Sequence, residues 1–216
     1  MQVAIFGGTG FVGNYFVRAL LKAGHEPSLL VRKGSENKVA EASSCRVTSG
    51  DIGSVQAIEA TLEGCDAVIY NIGLLREFPR KGITFEEAHY AGAQRVMDAA
   101  KKLGVSRFIL MSANGVKRPG TAYQETKLRA EEALKESGLD WTVFRPSIIF
   151  GDSGGTQEFT HQLYSEMVKP PTPAQINSVT FISIIDQPRA IEPINVSIVT
   201  VRLIVSTRLS CSSGLR

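Results

Sequence analysis

Three glycines, a tyrosine and a lysine carry most of the chemistry legible in this sequence. Gly7, Gly10 and Gly13 fit G-x-x-G-x-x-G, and Gly8, Gly10 and Gly13 fit G-x-G-x-x-G. That spacing suits a pyrophosphate. One glycine turns the chain sharply off a strand, one leaves room for phosphate to approach the backbone, and one lets a helix pack close. The free N–H groups and positive dipole end of the following helix then face the anion. Tyr123 and Lys127 lie four residues apart, so a helix puts both on one face. Ser112 closes an apolar run and is placed at a strand end.

These residues need a frame. Strand-like runs occur at Val3–Phe6, Pro27–Val31, Cys45–Thr48, Ala67–Tyr70, Arg107–Met111 and Trp141–Phe144. Helical spacing predicts helices over 11–23, 35–42, 54–62, 83–103 and 122–137, the last two ended by Gly104 and Gly138. Regular alternation of β and α predicts an α/β fold, a doubly wound parallel sheet. Ligands in such sheets bind beyond the carboxyl ends of the strands.

Strand ends are therefore where to look. Arg32 and Lys33 follow the second strand, and no acid lies between Pro27 and Ser35. Basic residues there either favour a ribose 2′-phosphate, which predicts NADP with NAD as the alternative, or are simply solvated loop charges. Asp51 after the third strand either accepts from an adenine amino group, with Ile52 packed on the ring, or caps the next helix. Asn71, Ile72 and Gly73 after the fourth strand either fit against ribose and phosphate or form an ordinary loop.

Charge and composition narrow the partners. The chain has 216 residues and a net charge of +3, too small to argue for nucleic acid or an anionic membrane. Cys45, Cys65 and Cys211 lack metal spacing, and this sparse, odd set points to a reducing compartment. His25, His89 and His161 are isolated and read as packed or surface residues, with no metal ligation. A strand begins at the second residue, which leaves no room for a targeting peptide, and no apolar run is long enough to span a bilayer. The expectation is a cytoplasmic protein that reaches membranes only through a partner.

Taken in order, Gly-Gly-Thr-Gly-Phe-Val-Gly (7–13), Gly-Asp-Ile (50–52), the stretch 105–115, Tyr-x-x-Thr-Lys (123–127) and Phe-Arg-Pro-Ser-Ile-Ile-Phe-Gly (144–151) resemble the short-chain dehydrogenase/reductase superfamily. They are most similar to its atypical, extended branch of sugar-epimerase-like proteins and the nucleotide-binding accessory subunit of respiratory complex I. The resemblance implies that Gly7, Thr9, Gly10 and Gly13, with the amides of Phe11 and Val12, hold the pyrophosphate. It implies that Tyr123 is the general acid/base, that Lys127 binds the nicotinamide ribose and lowers the tyrosine's pKa, that Ser112 orients the substrate, and that Pro146 borders the nicotinamide. It further implies hydride transfer to or from a small carbonyl or hydroxy compound of unknown identity, and a homodimer face on helices 83–103 and 122–137.

Two features depart from the family pattern. Ser112 is closer to Tyr123 than in most extended members, and the region after Gly151 is short and different in composition. Every glycine except Gly214 lies at or before Gly155. Residues 1–155 are thus expected to form the NAD(P)-binding domain. Residues 156–216 form an atypical C-terminal region, either a small β appendage with strands near 182–185 and 196–205 or, after about residue 172, a non-native tail. An apolar stripe at Phe159, Leu163, Met167 and Val168 reads as a core face. Two functions stay open: an NADP-dependent oxidoreductase or epimerase/dehydratase-like enzyme, and a non-catalytic NAD(P)H-holding accessory subunit or redox-sensing regulator that docks to a larger complex.

Overall fold

The computed structural model describes residues 1–147, Ile149 and Ser183–Asp186. Six parallel strands, β1 (Gln2–Phe6), β2 (Glu26–Val31), β3 (Arg46–Ser49), β4 (Ala67–Tyr70), β5 (Arg107–Met111) and β6 (Asp140–Pro146), are ordered β3-β2-β1-β4-β5-β6. A seventh strand, β7 (Ser183–Asp186), pairs antiparallel with β6, within one residue of the expected strand at 182–185. The order reverses direction beside β1, so the connections that leave β1 and β4 run to opposite faces of the sheet and leave a crevice beyond the strands' carboxyl ends.

Helices cover both faces, as right-handed crossovers require. α1 (Phe11–Lys22) packs Val17 and Leu20 against Val3, Ile5, Leu29 and Ile69 on one face. α2 (Val55–Leu62), α3 (Gly92–Lys102) and α4 (Ala122–Glu136) bury Leu62, Val96 and Leu134 with Phe6, Phe108 and Trp141 on the other. β1 is almost wholly buried because it is central and covered on both sides. α4 starts with a capping box: Thr121 Oγ1 accepts from the Gln124 amide at 3.3 Å, and the Gln124 side chain accepts from the Thr121 amide at 2.9 Å. That lock fixes the first turn, where Tyr123 stands.

Three expectations change in detail. The helix expected over 35–42 is instead two short 3₁₀ turns, Glu36–Lys38 and Ala42–Ser44. Of this stretch only Val39 is buried, and Glu41 adopts a left-handed backbone, so no apolar face repays a continuous helix. The helix expected over 83–103 forms, but its first part is a wide π turn at Glu86–Ala91 that runs into α3. Inside that turn the buried Tyr70 hydroxyl donates to the Ala88 carbonyl at 2.7 Å. Asp51 does not cap α2; Ser54 does, accepting from the Ala57 amide. The region beyond Gly151, including the strand expected near 196–205, the apolar stripe at 159–168, His161 and Cys211, lies outside the described residues except for β7.

Candidate functional site

The turn after β1 is built by contact. Gly7 has φ +96°, and a Cβ there would sit 2.9 Å from the Asn71 carbonyl at the end of β4. A Cβ on Gly13 would stand 2.2 Å from the Gly7 oxygen. Asn71 ties the two strand ends together, its backbone N–H donating to Phe6 at 2.8 Å and its side-chain amide to Gly7 at 3.4 Å. Gly7 and Gly13 are thus demanded by the fold. Gly10 is different. Its φ of −81° suits any residue, and a Cβ would meet nothing closer than the Gly7 oxygen at 3.6 Å. Gly10 lines a cleft, and its missing side chain leaves room for something approaching the start of α1 from that cleft. The first turn of α1 has no side-chain cap and no acidic residue, so its N–H groups are available to an anion.

That cleft, about 1340 Å³, runs over the carboxyl ends of the strands. It gathers Gly7, Thr9, Gly10, Phe11 and Val12 with Arg32, Asp51 and Ile52 at one end, and Ser112, Tyr123, Lys127 and Pro146 at the other. Asn71, Ile72 and Gly73 line it as well. Two expected contact residues are not in its wall. Gly13 sits behind the turn, where it sets helix packing, and Lys33 lies outside on the exposed turn that follows Arg32. Asp51 turns its carboxylate toward the Gly53 amide at 2.8 Å, which fixes the loop while leaving Ile52 against the cleft.

Lys127 is buried at the junction of β4 and β5. Its Nζ donates to the Met111 carbonyl at 2.8 Å and to the Ile72 carbonyl at 3.2 Å. An ammonium has three protons, so one remains for a ligand. Burial lowers its pKa to about 8, against an upward pull from Glu131 one helical turn on. The expectation that Lys127 draws the Tyr123 pKa down is not met. Burial raises the Tyr123 phenol instead, so it is protonated at neutral pH.

Ser112 also departs from its expected part. It is buried, and its hydroxyl donates to Glu131, which is 1% exposed and gripped by Arg145 through Nε at 2.9 Å and through its terminal nitrogen. The serine's proton is therefore spent on Glu131, and a ligand can find only its lone pairs.

One residue escaped sequence reasoning. His89, 1% exposed, accepts the Leu74 amide at its Nε2 at 2.9 Å, which puts its proton on Nδ1, facing Thr126 Oγ1 at 3.1 Å. The Thr126 hydroxyl in turn donates to the Ala122 carbonyl at 2.8 Å. The ring stacks on Phe85 and meets the edge of Tyr123 at 5.1 Å. His89 thus joins the cleft wall at Leu74 to the helix that carries Tyr123 and Lys127. Helical spacing alone gave no hint of this, because the π turn resets which residues face inward. Burial, and then the Lys127 charge, lower its pKa to about 3.

The comparisons with known proteins agree with this geometry. The profile of the NAD(P)H-binding family matches residues 7–171. The chain belongs to that family. It is 29% identical over 185 residues to the ceramide reductase of Caulobacter vibrioides, covering 85% of this chain and 57% of that protein. It is 29% identical over 157 residues to the mitochondrial NADH-ubiquinone oxidoreductase 40 kDa subunit of Neurospora crassa, covering 68% and 40%. The chain thus spans roughly half the length of these relatives. Among solved structures it superposes on the Bordetella bronchiseptica enzyme WbmH in complex with NAD+ with a TM-score of 0.63, at 22% identity, covering 76% of this chain and 62% of that one, which shows a shared fold. No helix among the described residues is long and apolar enough to cross a membrane.

Two outcomes follow. Gly13→Ala forces its Cβ into backbone and should destabilise the fold by about 2 kcal/mol or more, seen as a lower thermal midpoint. Gly10→Ala should leave the midpoint nearly unchanged but weaken NAD(P)H binding, measured by fluorescence titration. His89 adds an acid sensitivity. Between about pH 6.5 and 3 the unfolded chain binds a proton that the folded chain refuses, so stability falls as pH drops through that window. Chemical denaturation across that range should show a shallower decline in His89→Asn than in the parent.

Proposed function

We propose that this protein is an NADP-dependent oxidoreductase, or an epimerase/dehydratase-like relative of one, acting on a small carbonyl or hydroxy compound. The observation that carries this reading is the placing of Tyr123 and Lys127, on one face of α4, in the same cleft as the phosphate-ready start of α1 and the Arg32 guanidinium. Bound nicotinamide dinucleotide supplies a hydride to a carbonyl carbon or accepts one from an alcohol.

The chain's own residues do the rest. The amides at the start of α1 receive the pyrophosphate, and Arg32 receives a 2′-phosphate in a loop without a competing acid. Tyr123, a half-buried phenol whose pKa desolvation raises further above neutral, gives its Oη proton to the oxygen that becomes negative during reduction. Lys127 is positively charged at neutral pH and offers its third proton to a ribose hydroxyl while two carbonyls hold it still. Ser112 contributes an acceptor, not a donor. His89 keeps the wall and the helix in register.

A second reading is a non-catalytic NAD(P)H-holding subunit, and the similarity to the 40 kDa subunit of an NADH-ubiquinone oxidoreductase favours it. One experiment separates the two. With NADPH and a broad carbonyl panel, the enzyme reading predicts turnover that falls at least about 100-fold in Tyr123→Phe, with little change in NADPH affinity. Equal turnover in the variant overturns the role of Tyr123. NADPH binding with no turnover on any substrate, together with recovery in a larger assembly, favours the second reading.

A further inference from the structure

The loop between β4 and the π turn holds an unusual concentration of exposed features. Leu75 is 67% exposed and Phe78 46%, two of the six exposed large apolar side chains among the described residues. Between and beside them stand Arg76, Arg80 and Lys81, all exposed. The acid of this stretch, Glu77, is turned inward, where its carboxylate accepts the Phe85 amide at 2.7 Å. Three cations against one engaged carboxylate leave a local charge of +2.

The loop is pre-shaped. Phe78 and Ile83 form an antiparallel bridge, Phe78 N–H donating to Ile83 at 2.7 Å and Ile83 N–H to Phe78 at 3.3 Å. A tight turn at Pro79–Lys81 and a left-handed Gly82 close it. The Arg76 guanidinium lies 5.7 Å from the centre of the Phe78 ring, so charge and apolar ring share one surface. Ordering entropy is therefore largely spent before anything binds.

We infer that the loop 75–81 is a docking surface for an anionic lipid membrane. Apolar side chains ringed by lysine and arginine, with the acid withdrawn, match a bilayer interface: the apolar groups enter the headgroup boundary and the cations meet lipid phosphates. The loop's one carboxylate is already engaged, so its free side-chain charge is all positive and complements an anionic surface. The two ends of the loop, Leu75 and Lys81, line the cleft together with Leu74, Gly82, Ile83 and Thr84, while Arg76, Phe78 and Arg80 stand outside its lining. Docking sets the mouth of the cleft at the membrane surface, where a membrane-borne compound enters without crossing water. The inference does not depend on whether the cleft is catalytic.

Vesicle sedimentation of the full chain tests it. Vesicles of phosphatidylcholine with about a third phosphatidylserine should carry the protein down, and pure phosphatidylcholine vesicles should not; raising salt should release it. Each basic side chain near such a surface is worth about fivefold in partition, so Arg76→Gln/Arg80→Gln should bind about 25-fold more weakly. Phe78→Ser should also weaken binding. Neither change touches the cleft lining, so NADPH affinity and thermal midpoint should stay at the parent's values and certify the fold. Failure of the parent to sediment with anionic vesicles overturns the inference. So does equal sedimentation of parent and variants, which would place the contact elsewhere.

Discussion

The structure depends on one close approach, the backbone of Gly7 against the carbonyl of Asn71 with Gly13 pressed on Gly7 from behind. At that point the ends of β1 and β4 and the start of α1 share a space that admits no Cβ. The contact aims α1 at the crevice and holds its N–H groups there. It also sets how the β4 end runs on into Ile72, whose carbonyl takes one proton of Lys127. The glycine-turn end and the Tyr123–Lys127 end of the cleft are therefore fixed by the same few backbone atoms.

At the other end the organising element is α4. Its face presents Tyr123, Lys127 and Glu131 at four-residue spacing, and each meets a different part of the sheet. Tyr123 looks into the cleft, Lys127 spans β4 and β5, and Glu131 holds Ser112 and Arg145. The buried carboxylate is neutralised by Arg145 and helps keep a lysine charged in a place that resists charge. Electrostatics and packing are not separable here, because the groups that adjust Lys127 are also those that join the helix to β5 and β6.

Much of this was legible in the sequence because it is local. Strand runs, glycine helix stops and the tyrosine–lysine spacing are read from neighbours along the chain, and the parallel sheet follows from their alternation. What was not legible depends on contacts between distant segments. Lys33 looks equivalent to Arg32 until the backbone turns it away. Ser112 reads as a free hydroxyl until Glu131, nineteen residues on, takes its proton. His89 reads as an isolated histidine until the π turn and Tyr70 rotate it against Thr126. The net charge of +3 similarly conceals the cationic, apolar loop after β4, because its acid is withdrawn only in the folded chain.

The cleft is proposed to take a nicotinamide dinucleotide carrying a 2′-phosphate beside Arg32. Titration of the full chain with NADPH and with NADH, following the fluorescence of the nicotinamide, tests it most directly. The account predicts saturable binding of both, tighter for NADPH, with the difference shrinking in Arg32→Ala. A clear preference for NADH would contradict the part assigned to Arg32, and no saturable binding of either would contradict the account at its base.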